Sequence, residues 1–234
     1  MLFLLVQLAP PPRHPAPRCC DSGASSPLAS YRLIHRDASL LVVNKDAGLL
    51  TVPGRGAAKA DCLLSRLAAA GLSVPHAAHR LDRDTSGLLA LGATPRAHAA
   101  LSAAFGARRV GKAYEALVRG WPPSEGQVAA PIGTARGRAA VAAAGRPSLT
   151  AFRVLAVGEG EGGRWARVRL TPQTGRTHQL RLHMAHIGHP ILGDELHGGD
   201  AAAAAPRLCL HATSLGFAHP ESGEYVSFTS AAPF

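Results

Sequence analysis

The chain has 234 residues, 47% hydrophobic and 17% charged, with a formal charge of +10. That length supports one well-packed core with at most a small appendage, and no apolar run approaches the ~18 residues a membrane helix needs. Cys19, Cys20, Cys62 and Cys209 form no CxxC pair, which argues against a zinc knuckle or a disulfide framework, and the positive excess suits a polyanionic partner, nucleic acid first.

Residues 1–30 read as a leader. "MLFLLVQLAP" is apolar but stops at Pro10 with no positive charge before it, a poor signal peptide. "PPRHPAPRCCDSGASSPLAS" is rich in Pro, Ser and Arg with a single acid, the composition of a flexible leader or a transit peptide. The folded domain is then 31–234. Its expected location is cytoplasmic, or a plastid or mitochondrion if the leader is a transit peptide.

"SLLVVNK" (39–45) reads as a short buried strand that "GLLTVPGR" (48–55) leaves through a Pro-Gly turn. "ADCLLSRLAAAG" (60–71) carries Leu63, Leu64 and Leu67 at helical spacing, with Gly71 as a stop. "HRLDRDTSG" (79–87) then concentrates two arginines, two aspartates and a histidine. Asp82 and Asp84 fit an acid/base pair or metal ligands by type, but they would diverge on a strand and sit apart on a helix; the alternative is structural, since Asp before Thr-Ser-Gly often bonds backbone amides in a turn. "GLLALGA" (87–93) is a buried-strand run, after which Thr94 caps a helix starting at Pro95, with Leu101 and Phe105 on its apolar face.

"KAYEALVRG" (112–120) alternates, placing Tyr114, Ala116 and Val118 on one face of a strand. "SLTAFRVLAV" (148–157) and "RWARVRLTP" (164–172) predict two more strands joined by "GEGEGG". In the second, Arg167 and Arg169 face away from Ala166, Val168 and Leu170, as a solvated or a nucleic-acid-facing row. "ARGRAAVAAAG" (135–145) and "GGDAAAAAPR" (198–207) read as loops. In "TGRTHQLRLHMAHIGHP" (174–190), Thr177 is positioned to cap a helix running to Gly188. Leu180, Met184 and Ile187 form its buried stripe, and Arg181 projects near its first turn. His178, His183, His186 and His189 include two HxxH spacings, but without cysteines or HExxH they read as packing and hydrogen-bonding groups rather than metal ligands. Lysine is scarce, at Lys45, Lys59 and Lys112 only. The mixture predicts an α+β domain around a largely antiparallel sheet.

In order along the chain, "LLVVNKDAGLLTVPGR", "HRLDRDTSGLLAL", "KAYEALV", "TGRTHQLRLHMAHIGHPILGD" and "RLCLHA" closely resemble the RluA-type pseudouridine synthases. The resemblance runs from Tyr31 to Phe234 and is nearest to compact members without an N-terminal S4 RNA-binding domain. It implies the pseudouridine synthase catalytic fold: a largely antiparallel mixed β-sheet flanked by helices and loops, with the active-site cleft across the sheet. It also implies conversion of uridine to pseudouridine in rRNA and/or tRNA, by cutting the C1′–N1 bond, turning the base and rejoining it through C5. No cofactor and no metal are expected, nor a membrane or an obligatory protein partner, and the expected state is a monomer.

By matching motifs, Asp82 corresponds to the essential aspartate, Tyr114 to the active-site tyrosine and Arg181 to the arginine that pairs with the aspartate. A guanidinium beside Asp82 would hold it as a carboxylate, able to attack sugar or base or to support a glycal-forming step. Tyr114 offers a flat face for uracil and a hydroxyl for proton transfer. Arg80 is the candidate to fill the space left by the flipped base, and Arg176, Thr177, His178 and Gln179 are candidate RNA contacts. The chain departs from the family's pattern at Asp46, where a proline is usual, and at His197, where a tyrosine commonly follows "LGD". A purely RNA-binding protein would have no need of a carboxylate buried among arginines.

Overall fold

The computed structural model describes residues 30–54, 56, 60–72, 76–160 and 162–234. The expected leader lies outside the described residues apart from Ser30, as do Cys19, Cys20 and Lys59. Among the described residues, no helix is long and apolar enough to cross a membrane.

The first strands are β1 (Tyr31–Arg36) and β2 (Leu40–Lys45), followed by α1 (Leu63–Ala69), the two-residue β3 (His76–Ala77), β4 (Ser86–Gly92) and α2 (Pro95–Gly106). Strands β5 (Gly111–Arg119), β6 (Glu125–Ala129), β7 (Ile132–Ala135), β8 (Arg138–Val141), β9 (Leu149–Gly160) and β10 (Gly163–Pro172) come next. Helix α3 (Gln179–His186), a 3₁₀ turn (Gly199–Ala204), β11 (Leu210–Ala218) and β12 (Tyr225–Thr229) complete the chain. Ten strands make one sheet whose main path is β1-β2-β4-β11-β5-β10-β9-β6, with β12 added beside β11 and β3 beside β4. All its pairings are antiparallel except β4 with β11. This is the expected α+β fold with a mixed, largely antiparallel sheet.

Buried strands and amphipathic helices formed where the periodicity put them. Every residue of β4 is buried, as a strand covered on both faces must be. Thr94 caps α2 by accepting from the Ala97 amide, with Pro95 at the first helical position and Leu101 buried below. Helix α1 is shorter than 60–71; its cap is Cys62, whose Sγ accepts from Ser65 N while Ser65 Oγ accepts from Cys62 N. Cys62 and Cys209 are both free and buried.

Four expectations need correction. Residues 135–145 are no loop: β7 and β8 pair as a separate antiparallel hairpin across Arg136 and Gly137, both at positive φ. The 198–207 stretch contains a 3₁₀ turn. Among the described residues no backbone amide holds Asp84: its carboxylate accepts from Arg83 Nε at 2.9 Å, and the turn is closed by Thr85 N donating to Asp82 O. Thr177 does not cap α3. The cap position is His178 in the left-handed region (φ 55), with no side-chain cap bond, and the helix ends at His186 rather than Gly188.

One hydrophobic cluster is built on β5, β9, β10 and α3, and two others lie on opposite faces of β2 and β4. Tyr114 packs against the first of these and against the cluster beneath Leu81. The sheet therefore delivers Tyr114 to the seam between its two halves.

Candidate active site

Asp82 sits in the loop that enters β4, and its neighbours are clamped on both sides. Before it, buried Leu81 exchanges hydrogen bonds with the Thr51 hydroxyl: its carbonyl accepts at 2.9 Å and its amide donates at 3.2 Å. After it, the Arg83 carbonyl accepts from Gly48 N and from Lys45 Nζ, at 2.9 and 3.0 Å. Lys45 is fully buried; its ammonium donates also to the carbonyls of Asp46 and Leu49, both at 2.8 Å. Burial draws its pKa down to about 8, against the pull of Asp84, Asp46 and Asp82. One lysine thus ties the "NKDAGL" turn to the aspartate loop, a role its position at the end of β2 did not disclose. Asp46 serves through its backbone carbonyl, which any residue supplies.

Arg181, on α3, is nearly inaccessible, and its principal partner is Asp194. Nε and Nη2 donate to the two carboxylate oxygens at 2.8 and 2.6 Å, a buried bidentate pair. Asp194 Oδ1 also accepts from the amides of Leu196 and His197. Burial acts to raise the Asp194 pKa, but the Arg181 bond and charge and these amides bring it below the usual carboxylate range. The remaining nitrogen, Nη1, lies 3.9 Å from Asp82 Oδ2. Asp194, in the "LGD" of the sequence, was not among the expected site residues. Its signal was a lone aspartate after an isoleucine–leucine–glycine turn, close behind the helix carrying Arg181.

His178 faces the same carboxylate, its Nε2 4.0 Å from Asp82 Oδ2, while its Nδ1 shares a hydrogen bond of 2.8 Å with His197 Nε2. Burial lowers both imidazole pKa values, outweighing the pull of Asp82 and Asp194, so the pair is neutral near pH 7. His197 thus fills the position of the family's usual tyrosine as a ring partner for His178. Of the other histidines in that run, His183 bonds Thr150 Oγ1 and the Ala130 carbonyl and His189 bonds the Arg119 carbonyl, while His186 is exposed.

Asp82, Tyr114 and Arg181 line one open cleft of about 1730 Å³, together with Arg80, Arg176, Thr177, His178 and Gln179. Burial and the Asp82 charge raise the Tyr114 pKa well above that of a free phenol, so it keeps its proton and is a donor rather than a base. Arg80 is exposed on the cleft. Gln179 differs from expectation: it is buried, and its amide is used up inside the protein. Its Oε1 accepts from Thr174 Oγ1 and Arg176 N, and its Nε2 donates to Leu149 O and Thr150 Oγ1. It shapes the loop that presents Arg176 to His178. The two arginines of the 167/169 row differ: Arg167 is engaged, donating to Glu115 at 3.3 Å and to the Phe234 carbonyl, whereas Arg169 is exposed, 3.9 Å from Glu115, as expected of a solvated face.

The family model described as RNA pseudouridylate synthase matches residues 39–186. The dual-specificity RNA pseudouridine synthase RluA of Pasteurella multocida is 41% identical over 209 residues, covering 86% of this chain and 93% of that protein. The ribosomal large subunit pseudouridine synthase D of Zymomonas mobilis is 35% identical over 222 residues, 86% of this chain and 69% of the other. Among solved structures, human RNA pseudouridylate synthase domain containing 1 matches with a TM-score of 0.77 and 30% identity, over 90% of this chain and 86% of that one.

Proposed function

The chain belongs to the RNA pseudouridine synthases, as an RluA-type member, and we propose that Asp82 is the residue on which its isomerisation of uridine depends. The observation that carries this is the single guanidinium nitrogen of Arg181 held 3.9 Å from the Asp82 carboxylate, in a cleft shared with Tyr114. Asp82 makes no closer ion pair among the described residues, so its oxygens remain open to substrate while Arg181 supplies compensating charge.

In this reading the target uridine leaves its stack, at a cost of about a few kcal/mol. Arg80, exposed two residues before Asp82, fills the space behind it. The uracil lies against Tyr114, whose hydroxyl donates a hydrogen bond. The C1′–N1 bond breaks, the base turns, and C1′ bonds to C5; the C5 proton is lost and N1 gains one. Asp82 acts either as a nucleophile or in support of a glycal-forming step, and both routes use the same carboxylate beside the same guanidinium. Arg176, Thr177 and His178, along the cleft wall from Arg181, contact the RNA.

For substrate, we propose ribosomal RNA, transfer RNA or both: one relative is named for dual specificity and another for the large ribosomal subunit. The test is release of tritium from C5 of labelled uridine in RNA. The wild-type protein is expected to release it, more slowly as salt rises. Asp82→Asn is expected to abolish release, at least 10³-fold or to the limit of detection, while retaining RNA binding. An Asp82→Asn protein with ordinary turnover overturns the assignment.

A further inference from the structure

The chain holds 25 Lys and Arg residues, and only three of them are lysines. Two of these three are described, and their ammonium groups are in opposite situations. That of Lys45 is met by three carbonyls. That of Lys112 has no hydrogen-bond or ion-pair partner among the described residues, though it is half-buried in the cleft wall and burial pulls its pKa down with no carboxylate acting against it. A desolvated cation without an anion is costly, and no described residue supplies that anion.

Resting on the reading above, we propose that Lys112 is a phosphate-binding residue, gripping the RNA backbone beside the nucleotide flipped against Tyr114. Lys112 and Tyr114 are two apart on β5 and point to the same face, about 7 Å from one another along the strand. The irregularity in this pairing falls between Ala212 and Ser214 of β11, so the alternation of β5 is intact. A base stacked on Tyr114 therefore leaves its own backbone near the ammonium.

The facing wall is kept low by Gly175. Its φ lies outside the left-handed region, so its backbone does not require glycine, yet a Cβ there would sit 3.5 Å from Lys112 Nζ and a longer side chain would cover it. The neighbouring imidazole does not compete for the anion. His79 accepts the Ala90 amide on Nε2 and stacks on Phe105, and burial, with the charge of Lys112, pushes its pKa down to about 3. None of the cleft's carboxylates, Asp61, Asp82, Asp84 and Glu195, forms an ion pair with the ammonium: the first three lie nearest Arg66, Arg181 and Arg83, and Glu195 makes no ion pair among the described residues.

The test is the salt dependence of binding to fluorescein-labelled oligouridylate. Each phosphate contact on single-stranded RNA contributes about 0.7 to the slope of log K against log salt. Lys112→Gln is expected to bind about tenfold more weakly with a slope shallower by about 0.7, and Lys112→Arg is expected to restore both. A Lys112→Gln slope equal to that of wild type overturns the proposal. A measurement on the wild-type protein guards against a misfolded variant: acylation of Lys112, read by mass spectrometry, is expected to be blocked by the oligouridylate. Equal labelling with and without RNA also overturns it. If tritium release persists while either result goes against Lys112, this assignment fails alone; if release is absent, the catalytic reading fails independently of the slope.

Discussion

Asp194→Asn removes one charge from a buried bidentate pair whose two bonds are 2.8 and 2.6 Å long. The amide cannot replace the carboxylate, because one of its two heads is a donor facing a donor. Taking one partner from a buried pair costs about 3–5 kcal/mol, since the other charge is left uncompensated. Here Asp82 lies 3.9 Å from the same guanidinium, so the expected loss is at the lower end, about 3 kcal/mol. For a domain of this size that is about 6–12 °C in Tm, read by circular dichroism during thermal unfolding at pH 7. The pH dependence has a definite sign. The folded-state pKa of Asp194 is depressed, so its stabilisation is complete above the unfolded value of about 4 and is lost as pH falls through the folded value. Wild-type and variant curves should therefore converge in acid. Tritium release should fall as well, because a guanidinium freed from Asp194 swings towards Asp82. Arg181→Met combined with Asp194→Leu should regain much of the stability without regaining turnover. A loss below about 1 kcal/mol for Asp194→Asn would refute the view that this pair is the anchor of the site.

His211 is buried between two hydroxyls, with Nδ1 2.8 Å from Ser86 Oγ and Nε2 3.1 Å from Ser230 Oγ, and burial with the charge of Arg207 pushes its pKa down to about 4. The unfolded chain takes up that proton near pH 6.5 and the folded one does not, so stability should fall by on the order of 3 kcal/mol between about pH 6.5 and 4. His211→Gln should flatten that decline in urea titrations; an unchanged slope would remove His211 as its cause. Gly87, at φ +117, lies under β11 where a Cβ would be 2.4 Å from Ala212 N and 2.5 Å from Ala212 O. Gly87→Ala should cost about 4 kcal/mol through backbone strain and overpacking together, and a Tm within a few degrees of wild type would contradict the close approach.

Sequence periodicity revealed the elements whose burial follows a single repeat: β2, β4, the alternation of β5 and the capped start of α2. It missed β7 and β8 because "ARGRAAVAAAG" carries no hydrophobic alternation, and their pairing rests on a turn at Arg136 and Gly137. It misplaced the start of α3 because Thr177 is a good capping type, whereas His178 takes up the left-handed conformation there to reach His197. The three catalytic candidates were found through ordered motifs, and they line one cleft. Asp194 was not found, because a buried ion pair thirteen residues apart leaves no local pattern. Lys45 stood out only by rarity; its three acceptors are backbone carbonyls, and carbonyls have no sequence signature.

Arg181 serves two carboxylates, and they are treated unequally for a physical reason. Had the fork of the guanidinium closed on Asp82, both oxygens of that residue would be spent on hydrogen bonds, and charge-assisted bonds of that type are strong. Asp194 takes the fork instead, together with two backbone amides, which fixes the guanidinium plane. Only Nη1 is left towards Asp82, beyond hydrogen-bonding distance. Coulombic attraction falls only as the inverse of distance and is stronger in a partly desolvated cleft than in water, so Asp82 retains most of the electrostatic benefit without losing its lone pairs. The neutral His178–His197 pair on its other side adds no second cation to compete for them. A structural salt bridge, costly in itself to bury, thus leaves the carboxylate proposed as catalytic without a closer ion pair among the described residues and facing the cleft.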